Sequence, residues 1–250
     1  MGWLQHVDGI CQFCRRGREN LCRDSRYTGY DVDGGYAEYA VVSEDFAYEL
    51  PEGVNDERVS PLLCAGLIGY RALQQAAVPE KARLLLVGFG SSARIVIQVA
   101  LHRGHEIWVV TRSENHIRQA RELGAAWAGG DFRGLPGKAD GAVLFAPSGE
   151  LVPSTLEALD RGGVCSIAGI HLSDVPSLNY SQHLYQEREL RSVTANTRED
   201  VRAFLSEAAE ADVQPRTATY ALADANRALR DMKHSNIEGT PVLAIAAGES

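Results

Sequence analysis

No run in this chain approaches the roughly eighteen apolar residues that a membrane helix requires. Its opening residues, Met1-Gly-Trp-Leu-Gln-His6, hold neither a basic segment nor an apolar stretch with a cleavage site. These absences exclude a membrane as partner and predict a cytoplasmic protein. Basic charge is also in deficit, because 25 Lys and Arg against 33 Asp and Glu leave a net charge of −8. That balance disfavours nucleic acid, although a local basic cleft could still hold one small anionic cofactor. Five cysteines are too few for a disulfide scaffold. Internal repeats and low-complexity tracts are missing as well. What remains is a composition 45% hydrophobic and 23% charged over 250 residues, enough for one large domain or two modest ones.

Residues 1 to about 60 show no helical period and read as irregular loops and short strands, with the turn Asp33-Gly34-Gly35 and apolar runs such as Tyr39–Val42. From about Lys81 the texture changes. The strand Leu84–Val87 leads into a helix over Arg94–His102, and Ile107–Val110 into a helix over Ile117–Leu123. Further strands are expected at Gly141–Phe145, Gly163–Ile167 and Leu190–Thr194. This alternation predicts an α/β fold, a doubly wound parallel sheet over residues 62–211. Thr197 with Asp200 has capping-box spacing ahead of a helix whose apolar face carries Val201, Phe204, Leu205 and Ala208. In the tail, Leu222, Ala225, Leu229 and Met232 form a helical stripe before the strand-like Pro241–Ile245, and residues 212–250 are expected to return to the first 60.

The segment Gly88-Phe-Gly90-Ser91-Ser92-Ala93 follows an apolar strand and opens a helix, the context that a dinucleotide fingerprint needs. The first glycine suits the tight turn, the second lets backbone approach a pyrophosphate, and Ala93 permits close packing. At the end of the next strand, where an NAD site places an acid, stand Thr111, Arg112 and Ser113. Donors and a positive charge there favour NADP(H), with NAD as the alternative if Arg112 is merely solvated.

The second constellation is Asp8-x2-Cys11-x2-Cys14-x7-Cys22, interleaved with Arg15, Arg16, Arg18 and Arg23. Closely spaced thiolates suit tetrahedral zinc, and a carboxylate can serve as the fourth ligand. A set of buried thiols, or a site emptied by loss of one ligand, is the alternative. Composition alone makes Cys64 and Cys165 core residues.

Taken together, Asn20-Leu-Cys22, Arg26–Gly29, Asp33–Tyr39, Pro61–Gly66, Gly88–Gly90, Phe145–Pro147 and Ala168–Asp174 resemble the zinc-dependent medium-chain alcohol dehydrogenases, in particular the bacterial sequences of cinnamyl-alcohol-dehydrogenase type. The resemblance implies a GroES-like catalytic portion at residues 1–61, a Rossmann domain at 62–211, and a C-terminal return at 212–250. It implies that Cys64 is one ligand of a catalytic zinc. Phe145, Ala146, Pro147, Ala168, Gly169 and Ile170 would line the nicotinamide end. Expected cofactors are zinc and NADP or NAD. The expected reaction is hydride transfer between a small alcohol and the nicotinamide, zinc polarising the oxygen, in a homo-oligomer (dimer or tetramer). The family carries a fourth Cys where this chain has Asp8. Its segment bringing a Cys and a His to the catalytic zinc has no counterpart here, so the chain is expected to be N-terminally truncated and inactive or impaired. The competing readings are a non-catalytic dinucleotide-binding protein and a zinc-free NADPH-dependent reductase of the same superfamily.

Overall fold

The computed structural model describes residues 4–50, 56–234 and 237–245. The chain divides into two compact units, one formed by Met1–Leu67 with Ala195–Ser250 and the other by Ile68–Thr194. In the first unit, β1 (Leu4–His6) pairs antiparallel with β2 (Arg26–Tyr27). Between and after them the backbone is held by short 3-10 turns at Cys14–Arg16, Glu19–Leu21 and Glu44–Phe46. Tyr39–Val42 forms no strand, and Val41 is 88% exposed. An apolar run becomes a strand only where a neighbouring edge can pair with it. α1 (Asp56–Pro61) continues through one π-type turn, Leu62–Gly66, into α2 (Leu67–Gln75).

The second unit then alternates. β3 (Arg83–Val87) is followed by α3 (Ser91–His102), β4 (Glu106–Val110) by α4 (Glu114–Glu122), and β5 (Trp127–Gly129) by a 3-10 turn. β6 (Ala139–Leu144), α5 (Leu151–Ala158), β7 (Leu159–Ile167) and β8 (Glu189–Ser192) complete it. All six strands are parallel, in the order β5-β4-β3-β6-β7-β8. Numbered from the first strand of the sheet, that order is 3-2-1-4-5-6, the Rossmann arrangement, with its reversal between β3 and β6. Strands buried on both faces need continuous apolar sequence, and Leu84, Leu85 and Leu86 are fully buried. Cys165 lies fully buried in β7, in the core that Leu85, Leu144 and Leu156 share.

The remaining elements belong to the first unit: α6 (Arg198–Glu210), β9 (Thr217–Ala221), α7 (Ala225–Lys233) and β10 (Thr240–Ala244), with β9 and β10 parallel. The capping box forms as its spacing indicates, Asp200 N–H donating to Thr197 Oγ1 and Thr197 N–H to Asp200 Oδ2. The sequence had placed this helix at the close of the sheet unit. It sits in the first unit instead, because buried Glu19 accepts hydrogen bonds from the Arg198 backbone N–H and Nε at 2.8 and 3.2 Å, and Arg198 stacks over Phe46. The tail stripe also differs from expectation. Leu229 and Met232 stay 42% and 51% exposed, and Ala228 is the buried residue of α7. A stripe is buried only where another element covers it.

Candidate functional site

The reversal of strand order opens a crevice at the carboxyl ends of β3 and β6, and the fingerprint lies there. Gly88 leaves β3 with φ 91°, a conformation that costs a side-chain-bearing residue energy. A Cβ at Gly88 would stand 2.8 Å from the Ala146 backbone nitrogen, so the turn and the loop after β6 can meet only over a glycine. Two hydrogen bonds fix that meeting, from Phe145 N–H and Ala146 N–H to the Val87 carbonyl at 2.8 and 3.0 Å.

Gly90 precedes α3 and gives it no side-chain cap, and a Cβ there would enter open space. The open space above a helix N-terminus is the shape and polarity that a pyrophosphate requires. Ala93 is fully buried, as close packing of α3 on the sheet demands.

The neighbouring strand ends complete the rim. Gly88 N–H donates to the Val110 carbonyl, bringing the turn beside Thr111, which is buried, while Arg112 and Ser113 are exposed. Ser113 Oγ accepts the His116 N–H at 3.4 Å and so caps α4. His116 escaped the sequence reading; burial and then the nearby Arg94 charge lower its pKa. A basic residue in the first turn after the second strand was the available signal. Ala168 N–H donates to the Leu144 carbonyl, which places Ala168, Gly169 and Ile170 beside the β6 loop. The residues expected to hold the cofactor thus lie just past the carboxyl ends of β3, β4, β6 and β7.

In the first unit, Asp8, Cys11, Cys14 and Cys22 offer donor atoms all within 4.8 Å of one another, the one such group of three or more donors among the described residues. None of the five cysteines forms a disulfide. Asp8 Oδ1 accepts the N–H groups of Ile10 and Cys11 at 2.9 and 3.0 Å, which folds the loop around the carboxylate. The Cys11 amide hydrogen bond, with the others, holds the Asp8 carboxyl well below the usual range. Burial, and then the Asp8 carboxylate, push the Cys14 thiol up to about 12. Tetrahedral thiolate ligands at about 2.3 Å from zinc stand roughly 3.8 Å apart, so this cluster fits the ion after a small contraction. A divalent cation would stabilise the Cys14 thiolate that burial and then the Asp8 carboxylate disfavour. Behind the loop lies a small core of Val7, Cys22 and Phe46.

Cys64 is exposed, which corrects the core assignment drawn from composition. The π-type turn carries it to a groove of about 1040 Å³ shared with Thr28, Asp33, Tyr36, Leu63 and Leu243. No group of three or more metal donors among the described residues includes Cys64.

Comparison with known proteins agrees with this layout. Residues 93–210 match the family model of the zinc-binding dehydrogenases, and residues 2–52 match that of the alcohol dehydrogenase GroES-like domain. A probable alcohol dehydrogenase AdhA of Mycobacterium tuberculosis is 53% identical over 245 residues, covering 98% of this chain and 71% of the relative. An alcohol dehydrogenase of Geobacillus stearothermophilus is 28% identical over 97% of this chain and 74% of its own length. Among solved structures, CAD from Helicobacter pylori, complexed with NADP(H), superposes with a TM-score of 0.85 at 19% identity, over 98% of this chain and 74% of that one. Acetophenone reductase from Geotrichum candidum, in complex with NAD, superposes with a TM-score of 0.87 at 19% identity, over 100% and 74%. At such identities the structural likeness speaks for the fold.

Proposed function

The chain belongs to the zinc-containing medium-chain alcohol dehydrogenase family, and on that premise we propose that its sheet unit binds NADP(H) in preference to NAD(H) for hydride transfer to or from a small alcohol or aldehyde. The observation that carries the reading is the meeting of Gly88 with Ala146 at the reversal of strand order, beside a helix start left open by Gly90. When bound, the nicotinamide supplies the hydride chemistry. The chain's residues do the holding. Gly88, Gly90, Ser91, Ser92 and Ala93 cradle the pyrophosphate, and Phe145–Pro147 with Ala168–Ile170 border the nicotinamide end. Thr111, Arg112 and Ser113 meet the adenosine ribose, where Arg112 is exposed for a 2′-phosphate and no acid occupies positions 111–113 to repel it.

Asp8, Cys11, Cys14 and Cys22 would hold one zinc, which would cross-link a loop backed by few apolar residues. That donor set also speaks against a zinc-free reductase, in which it would have no purpose. Cys64 is offered as one ligand of a catalytic zinc. The described residues do not complete a site around it, and turnover by this chain alone is expected to be low.

Among the described residues no helix is long and apolar enough to cross a membrane. The cytoplasm is the compartment proposed from composition. β8 ends the sheet, and self-association along that edge is part of the proposal.

Fluorescence titration with NADPH and NADH tests the cofactor reading. The expected result is tighter NADPH binding that Arg112→Ala weakens without changing NADH. Failure to bind either dinucleotide overturns the reading. Rapid alcohol-dependent NADP reduction would overturn the expectation of low turnover while leaving the binding proposal intact.

A further inference from the structure

The two segments assigned to the nicotinamide end, residues 145–147 after β6 and 168–170 after β7, are joined to each other on both sides of the site. At their base Ala168 N–H donates to the Leu144 carbonyl at 2.9 Å, continuing the pairing of the two strands. Past the site, Gly149 N–H donates to Ser173 Oγ at 2.9 Å.

Gly149 is buried and leaves no room for a side chain. A Cβ there would fall well inside contact distance of the Ser173 and Asp174 carbonyl oxygens and stand 2.7 Å from the Asp174 carbonyl carbon. These are backbone atoms that cannot rotate aside, and Gly149 is not among the residues with positive φ. Space alone therefore requires glycine. It lets the two loops meet backbone to backbone, and the Ser173 hydroxyl fastens them. The turn that presents Gly149 is itself held, with Ser148 N–H donating to the Ala146 carbonyl at 2.8 Å and Val152 N–H to the Gly149 carbonyl at 3.0 Å. The second bond anchors the clasp to the start of α5.

Between base and clasp the chain forms an open arch. Residues 169–172 make no hydrogen bond among the described residues, and Ile170 is 66% exposed. Leu172 gives the arch an apolar footing on the core that contains Leu144 and Val152. An arch tied at both ends holds its backbone in place before a ligand arrives, whereas one tied only at its base loses conformational freedom on binding.

We propose that Gly149 and Ser173 are positioning residues for the cofactor, their clasp holding the 168–172 arch ready for the nicotinamide end alone. The inference rests on the cofactor reading given above. The residues assigned to the pyrophosphate and the ribose are tied elsewhere, Gly88 N–H to the Val110 carbonyl and Thr111 N–H to the Gly129 carbonyl, so loss of the clasp leaves them in place.

The test is calorimetric titration of the full chain with NADPH and NADH, and with 2′-phospho-ADP-ribose and ADP-ribose, which lack the nicotinamide ring. Ser173→Ala should bind the preferred dinucleotide roughly threefold more weakly, and Gly149→Ala, which forces the loops apart, roughly tenfold more weakly. Both should bind the matching ring-free fragment within about twofold of the parent. Ser173→Thr keeps the hydroxyl and should restore parent affinity. Should Gly149→Ala fail to fold, the two Ser173 variants decide by the same comparison. Unchanged dinucleotide affinity in the Ala variants overturns the clasp and leaves the cofactor reading intact. An equal loss for the ring-free fragment also overturns it, because a general structural role would weaken both ligands alike. A parent chain that binds neither dinucleotide overturns the cofactor reading and this inference together.

Discussion

Adding one methyl group at each of two glycines separates the fold of the crevice from its use. In Gly88→Ala the new Cβ meets the Ala146 nitrogen at 2.8 Å and its Cα at 3.2 Å, at a backbone φ of 91°. The positive φ costs about 1–2 kcal/mol for any L side chain. Relieving a backbone contact some half an ångström too short adds about 1–2 more, because both neighbours are pinned by hydrogen bonds to Val87. A loss of about 2–4 kcal/mol corresponds to roughly 5–15 °C in the melting temperature of a domain this size. Gly90→Ala meets nothing within 4 Å and has no positive φ, so its melting temperature should change by no more than about 3 °C. Its methyl would fill the space assigned to the pyrophosphate, and NADPH affinity should fall by roughly a hundredfold. Calorimetry and dinucleotide titration on both variants give the answer. A Gly88→Ala chain that melts within a degree of the parent, or a Gly90→Ala chain that binds NADPH normally, would refute the reasoning.

Three further outcomes follow from the geometry. Asp8→Ala removes a candidate ligand and the acceptor of the Ile10 and Cys11 amides, so zinc affinity, measured by competition with a chromophoric chelator, should drop roughly 10–100-fold; an unchanged affinity would remove Asp8 from the site. Asp140 accepts hydrogen bonds from Arg83 N–H, Nε and Nη2, and the Arg83 guanidinium holds its carboxyl below the ordinary value. A depressed folded value means stability that is present above the unfolded pKa of about 3.9 and lost as pH falls through the folded one. Asp140→Asn should therefore cost about 1 kcal/mol at pH 7, with the gap closing below about pH 4 in acid melts; a gap constant with pH would contradict this. Burial pushes the Cys165 thiol up to about 12, so it should resist thiol reagents until the sheet unit unfolds. Cys165→Ser should destabilise that unit by about 1–3 kcal/mol, since the surroundings are apolar, and mass spectrometry of labelled native protein checks the first point.

Local chemistry made much of this protein legible in its linear order. The apolar run of β3, the glycines behind it and the capping box of Thr197 each act over a few residues, and the structure contains all three. The Asp8, Cys11, Cys14 and Cys22 spacing likewise closes into one cluster, because the Ile10 and Cys11 amides hydrogen-bond to the Asp8 carboxylate a few residues away and fold the loop on itself. Other features depended on partners distant in the chain. Strand order placed Ala146 against Gly88, 58 residues earlier in the numbering. Glu19 joined α6 to the first unit through a hydrogen bond spanning 179 positions. Exposure of Cys64, Leu229 and Met232 was settled by which surfaces other elements cover, a quantity that periodicity does not contain. Short-range preferences thus determined the local motifs and most elements of the sheet unit, but not whether a run such as Tyr39–Val42 finds an edge to pair with. Burial and long-range hydrogen bonding, which exist only once the chain has folded back on itself, decided which of those motifs meet.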